Sequence, residues 1–454
     1  MNKPHVIRRQ HLHVTLEGTE AEGFALQHRL SALCHDWLVP AIETALDRCA
    51  PTDGYLYLEH LTIDAGAFRP ERLEHDLAGR VGQAIEEAIL AQTSPAVSGQ
   101  AQRKTEPQTA LEALLYFLEN GQLRWSFRLP PNTLLEAYLR TIWGKTALRT
   151  TEMEQIRQLL GSPTPRRRLV GQFSGDFLEI LLLRISPSAH NSVQALRAAL
   201  RGSDRPTVFS NFEKRLWETA FAQAATNGQA DARTLLKSLK MDFSTLPLSL
   251  QARLETLLGG PLPAAAAPLA LESSLSTPPK NQPPSPFLDK EGLYVDNAGL
   301  IILHPFVPMF LEGLGFARDG LLLQPNRALH LLHYLCTGES PAPEYALALP
   351  KVLCNIPLTE PVDIDVVLTE LEKEEALALL QAVIRHWEAL QSAAPDALRG
   401  TFLLRPGKLS RRDDGGWLLE VEKQGFDILL DQLPWGIGMV QLPWMEQLLW
   451  VEWN

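Results

Sequence analysis

His330 and His333 lie three residues apart on a stretch with helical apolar spacing, so both imidazoles can share one face, and Glu339 follows shortly after. A zinc centre needs a third or fourth ligand and a frame such as H-E-x-x-H, which the chain lacks. The pair is therefore expected on a helix surface or a partly buried face. Asp363 and Asp365 precede a helix, and Asp413 and Asp414 enter the turn Gly415-Gly416. Aspartate is common at both places because it hydrogen-bonds the local backbone, so these carboxylates are expected to shape turns rather than exchange protons with a substrate. Gly144-Lys145-Thr146 copies the end of a phosphate-binding loop, but the earlier glycine of that loop would fall on Leu139. Gly171-Gln172-Phe173-Ser174-Gly175 sets its serine one place too late for a nucleophile elbow. Arg166-Arg167-Arg168 is the densest basic cluster and is expected as a solvated corner. Cys34, Cys49, Cys336 and Cys354 form no C-x-x-C, which suits reduced thiols of a cytoplasmic protein. No catalytic residue, cofactor site or metal site is expected.

The tryptophans are less evenly placed. Six of the ten fall in residues 387–454, and Leu433-Pro434-Trp435 returns as Leu442-Pro443-Trp444 before the chain ends in Trp450-Val451-Glu452-Trp453. Large amphipathic rings at a chain end either close a core or anchor a partner. Trp435, Trp444, Trp450 and Trp453 are the candidate interaction residues.

The elements that must position these groups follow from composition and periodicity. The chain has 454 residues, 45% hydrophobic and 21% charged, which is globular composition with room for about two to four domains. Its net charge of −11 belongs to the C-terminal part: residues 289–454 carry 24 Asp/Glu against 12 Lys/Arg, whereas residues 1–288 carry 29 against 30. A nucleic-acid partner is disfavoured, because counterion displacement needs a concentrated cationic face. The start of the chain has no apolar stretch behind its charges, and no apolar run approaches the about 20 residues that span a bilayer, so neither a secretory signal nor a membrane segment is expected.

The fold class expected is mainly α with α+β modules. Residues 1–91 read as an N-terminal β-α-β-α module: Leu12, Val14 and Leu16 alternate along a half-buried strand, and Leu26, Leu30, Leu33 and Trp37 line a helix. Tyr55 to Ile63 forms a second strand, and Leu73, Leu77 and Val81 mark a second helix. Residues 110–258 read as a helical region punctuated by Pro130-Pro131, Pro163, Pro165, Pro187, Pro206 and Pro247, with Leu134, Leu135, Tyr138, Leu139 and Ile142 along one helical face. Residues 259–288 hold eight prolines and read as a Pro-rich linker, and a weaker polar seam covers 92–109. Residues 289–454 read as a C-terminal α+β domain. It opens with a strand from Leu293 to Leu303 and contains a helix from Glu370 to Leu390 capped by Thr369 and Glu372, with Ala376, Leu380, Ile384 and Trp387 as its buried stripe.

Three stretches carry a resemblance: Tyr294 to Phe306 (YVDNAGLIILHPF), Leu349 to Pro357 (LPKVLCNIP), and Leu433 to Met445 (LPWGIGMVQLPWM). Arg399-Gly400-Thr401-Phe402-Leu403 with Arg405-Pro406-Gly407-Lys408-Leu409 adds a fourth, and Leu61 to Gly66 and Tyr116 to Gly121 are weaker echoes. In these the chain resembles the tape measure proteins of contractile injection systems, the phage-tail-like particles that bacteria build around a rigid tube. The resemblance implies a non-enzymatic structural or assembly protein that sets the length of inner tube and sheath and docks at the baseplate or spike. Its implied partners are inner-tube and baseplate or spike proteins, with self-association open, and its implied place is the bacterial cytoplasm or the assembled particle. An assembly adaptor or a cargo-holding module of the same particle is the alternative. At about 1.5 Å per residue, the longest proline-free stretch, Thr207 to Leu246, would reach only roughly 60 Å as one helix.

Overall fold

The computed structural model describes residues 5–7, 9–69, 72–93, 101–146, 148–200, 206–226, 231–239, 248–262, 292–390 and 393–453. The described chain is mainly helical with three small sheets. It divides into one compact unit of residues 1–113, 125–133 and 141–147, and a second of residues 114–124, 134–140 and 148–454.

In the first unit, α1 (Glu20–Leu33) runs through one turn of π-helix (Cys34–Leu38) into α2 (Val39–Cys49). The π turn inserts one extra residue, so the apolar stripe of Leu26, Leu30 and Leu33 continues at buried Leu38 and leaves Trp37 exposed. β1 (Tyr55–Leu58) leads to α3 (Leu73–Thr93), whose Leu77, Val81, Ile85 and Ile89 pack with Leu38 and Ala45 of the π turn and α2. β2 (Ala101–Lys104) pairs antiparallel with β1. That strand lies in the polar seam, where residue types alone argue for a loop; its neighbour β1 supplies the ladder bonds that its sequence does not predict. The expected strand at residues 11–16 is not formed. Leu12, Val14 and Leu16 are 46%, 45% and 36% exposed. Alternation fixes a face, but a strand also needs a neighbour for its backbone groups, and no strand among the described residues pairs with it.

Two further helices, α4 (Glu106–Asn120) and α5 (Leu135–Lys145), follow. Leu134 precedes the first turn of α5 and stays exposed, while Leu135, Tyr138, Leu139 and Ile142 are buried as their spacing predicts.

The second unit continues with a helical array: α6 (Thr150–Leu159), α7 (Pro163–Gln172), α8 (Gly175–Ile185), α9 (Pro187–Leu200), α10 (Pro206–Thr226), α11 (Ala232–Ser238) and α12 (Leu248–Leu258). The prolines that read as turn signals open α7, α9 and α10, where a fixed φ and a missing N–H do no harm. Pro247 lies outside the described residues, as does the Pro-rich stretch 259–288 beyond residue 262. The central α10 packs against α7, α8 and α9, and its Leu216, Trp217, Ala220 and Phe221 are buried.

The remainder of this unit builds a second core around a buried helix. β3 (Leu293–Val295) is only three residues long; the rest of the expected strand, Ala298 to Leu303, is a fully buried 3-10 turn. A short continuous apolar run does not distinguish a buried strand from a buried turn. After it come α13 (Val307–Gly313), the small hairpin β4 (Ala317–Arg318) and β5 (Leu321–Leu322), α14 (Pro325–Thr337), α15 (Ala348–Leu353) and α16 (Glu370–His386). The α16 start is as the sequence predicts: Thr369 Oγ1 accepts from the Glu372 N–H at 3.3 Å and Glu372 accepts from the Thr369 N–H at 2.6 Å. Ala376, Leu380, Ile384 and Trp387 are buried. β6 (Gly407–Arg411), β7 (Trp417–Val421), β8 (Met439–Val440) and β9 (Leu449–Trp453) join β3 in a sheet of order β3-β6-β7-β9-β8, parallel only between β7 and β9. Leu293, Leu409, Leu419 and Val451 line the face of this sheet that meets the core around α14.

Candidate functional site

The most heavily built polar site joins α7 to the segments on either side of α15. Glu344 accepts from Arg168 Nε at 2.9 Å and from Lys351 Nζ at 2.7 Å, and all three side chains are fully withdrawn from solvent. The remaining donors find backbone oxygens: Arg168 reaches Leu118 at 2.5 Å and Thr359 at 2.6 Å, and Lys351 reaches Leu358 at 3.0 Å and Glu360 at 2.6 Å. Gln172, one turn beyond Arg168, accepts from the Glu344 N–H at 2.9 Å and donates to the Val362 carbonyl at 2.5 Å. The Ile364 N–H then bonds the Gly171 carbonyl at 2.8 Å. Residues 359–364 are thereby strapped to α7 by side chain and backbone together. Burial lowers the Lys351 proton affinity, and the Glu344 carboxylate opposes that shift. Every group of the cluster is committed to its neighbours, so it supports geometry and offers no hand to a substrate.

This corrects the expected solvated corner at residues 166–168. Arg166 bonds the Leu160 and Gly161 carbonyls and Arg167 is half exposed, but Arg168 is a core residue. A signal for the cluster was present in the sequence: Lys351 stands alone inside the apolar run Ala346 to Cys354, where a solvated lysine has no reason to be.

Of the other chemistry-bearing residues some are held by neighbours and some are not: the buried Nδ1 atoms of His330 and His333 have no hydrogen-bond partner among the described residues. His330 Nε2 lies 2.9 Å from the Asp363 carbonyl, and burial lowers its proton affinity. His333 is buried beside it, and burial, then the neighbouring His330, depress its pKa from 6.5 to about 4. The Asp363 carboxylate pairs with Lys214 at 3.0 Å. Asp365 and Asp413 are exposed, and Asp414 accepts from the Gly416 N–H at 2.9 Å in the turn before β7. Gly144 and Lys145 end α5. Ser174 caps α8 and bonds Glu136 at 2.6 Å. Burial raises the proton affinity of all four thiols, most strongly at Cys336 and Cys354. Among the described residues no cluster of three His, Cys, Asp or Glu is placed to hold a metal.

The histidines make acid lability a testable property. The folded state favours neutral His333 whereas the unfolded chain titrates near 6.5, so between pH 6.5 and 4 the unfolded state binds the extra proton. The contribution is fully present above pH 6.5 and is lost as pH falls toward 4, by about 3 kcal/mol for His333. Urea unfolding at pH 7 and pH 4.5 should show a steeper loss for the intact chain than for His333→Gln; equal slopes would contradict it.

The four candidate tryptophans divide. Trp435 donates to the Ile302 carbonyl at 2.9 Å and meets Phe306 edge to face. Trp444 is buried and donates to the Leu353 carbonyl at 2.8 Å. Trp453 donates at 2.8 Å to Asp427, which also holds Arg405 through both carboxylate oxygens. Burial works against the Asp427 charge, but Arg405, the Gln424 N–H and Trp453 together hold its carboxyl below the usual range. These three rings anchor the tail to its own core. Trp450 differs: β9 alternates, so Leu449 and Val451 face the core while Trp450 and Glu452 face outward. On that outer face Trp450 stands in register between Leu418 of β7 and Met439 of β8, and the Arg412 guanidinium lies 5.0 Å from its ring centre.

Among the described residues no helix is long and apolar enough to cross a membrane. Over residues 4–453 the chain matches the sequence profile of the family described as contractile injection system tape measure protein. No curated protein and no solved structure matches it.

Proposed function

Because this chain belongs to the contractile injection system tape measure protein family, a family of structural components of phage-tail-like particles, we propose that it acts without catalysis in particle assembly, setting the length of inner tube and sheath and docking at the baseplate or spike. The observation that carries this reading is the match over nearly the whole length, residues 4–453. The commitment of Arg168, Glu344 and Lys351 to internal bonds agrees with it.

The measuring role has a geometric condition. Among the described residues the longest helices, α3 and α10, have 21 residues each, which is about 32 Å of rise. A tube-length ruler would therefore need extended linkers, a rearranged chain within the tube, or several copies in series. The inner-tube and baseplate or spike proteins are the partners in this reading, with assembly in the bacterial cytoplasm. Quantitative mass spectrometry of purified particles and assembly intermediates tests it: a fixed number of copies per particle, well below that of the tube subunit, is expected. Absence from both particles and intermediates would overturn it.

A further inference from the structure

The outward face of the C-terminal sheet carries an arrangement that folding alone does not require. Its inner rows are filled by Leu409, Leu419, Val440 and Leu449. In the outer rows, Leu418, Trp450 and Met439 stand side by side across β7, β9 and β8, and Met439 is 54% exposed. One step along the same face, Glu420 and Glu452 are in register on the parallel pair β7 and β9. Neighbouring strands are about 4.8 Å apart, and like charges in register destabilise a pair. Lys408 meets only one of the two, bonding Glu420 at 3.0 Å. Glu452 is exposed and makes no ion pair among the described residues. Arg412 is held by Asp414 at 3.2 Å and lies over Trp450. The result is an apolar row beside a carboxylate pair that lacks half of its counter-charge.

We propose that this outer face is a docking surface for a cationic amphipathic segment of another particle subunit, with apolar side chains on the Leu418, Trp450 and Met439 row and a lysine or arginine between Glu420 and Glu452. The proposal rests on the assembly reading and names the chemistry of one contact within it. An aromatic ring flanked by other apolar side chains gives such a contact its buried centre, and the carboxylates select the sign of the partner. A second copy of this chain fits less well, because it would bring the same uncompensated carboxylates against these.

The test uses the full chain and an 18-residue amphipathic helix of leucine and lysine as probe, measured by calorimetry. Binding is expected to weaken at least tenfold in Glu452→Lys and in Trp450→Ala, and to be unchanged in Glu375→Lys, an exposed carboxylate on α16. Glu452→Lys is a surface change, so its fold, checked by circular dichroism, keeps the comparison interpretable if Trp450→Ala unfolds. Equal affinity across the charge variants, or no binding by the intact chain, would overturn the proposal. In assembling particles, benzoylphenylalanine in place of Met439 should photo-crosslink to a lysine- or arginine-containing segment of a different subunit. A crosslink to a second copy would overturn it. Particles of normal number and length from Glu452→Lys cells would remove this contact while leaving the assembly reading intact; loss of that reading would show instead as normal particles from cells lacking the chain.

Discussion

Glu344→Ala is expected to destabilise the second unit by about 3–5 kcal/mol, because it removes the one carboxylate between two cations that have no route to water. Arginine does not deprotonate in proteins, so Arg168 would remain a buried, uncompensated charge. Lys351 can release its proton, and burial already pushes it in that direction, which would relieve only its own share. Two backbone attachments would also loosen, since Glu344 orients the groups that hold the carbonyls of Thr359 and Leu358. The matched experiment replaces all three residues with apolar ones, Arg168→Met with Glu344→Leu and Lys351→Met. Exchange of a buried ionic group for well-packed apolar side chains is often neutral or stabilising, so this variant should recover most of the loss. Urea unfolding followed by tryptophan fluorescence checks both; a Glu344→Ala loss under about 1 kcal/mol would show that the cluster is not holding α7 to its neighbours.

Gly299→Ala is the second large effect. A Cβ at this position would lie 1.7 Å from the Phe402 carbonyl oxygen and 2.7 Å from the Leu403 Cα, both backbone atoms that no rotamer change can move aside. The turn Ala298–Leu303 is buried and bonded to the same strand-leading segment through the Ala298 N–H and the Arg405 carbonyl at 2.9 Å, so the clash must displace backbone within the core. A loss of at least about 3 kcal/mol is expected. Gly313→Ala, at the end of α13 where a Cβ would meet nothing within 4 Å, should change stability by less than about 1 kcal/mol. Thermal unfolding of the two variants side by side tests the prediction, and equal midpoints would contradict it.

These two positions also show where sequence reasoning reaches and where it stops. Local rules carried α16 from its capping box to its stripe, because every bond involved lies within four residues. They failed where a distant partner decides. Residues 11–16 have the alternation of a strand and no strand to pair with, while Ala101–Lys104 has polar residues and becomes a strand because β1 lies beside it. Arg168 looked solvated in a basic run because Glu344 is 176 positions away. The tail tryptophans were visible as a group, but only the register of β9 separates Trp450, which faces outward, from Trp435, Trp444 and Trp453, whose indoles are bonded into the core.

In the proposed function this chain works through surfaces that govern how a particle is built. Electron microscopy of particle length decides it most directly, comparing cells with the intact chain, cells lacking it, and cells in which blocks of residues 110–258 are excised. Uniform lengths are expected with the intact chain, shifted or scattered lengths with the excised forms, and few or no particles without it. Particles of unchanged number and length in all three would contradict it.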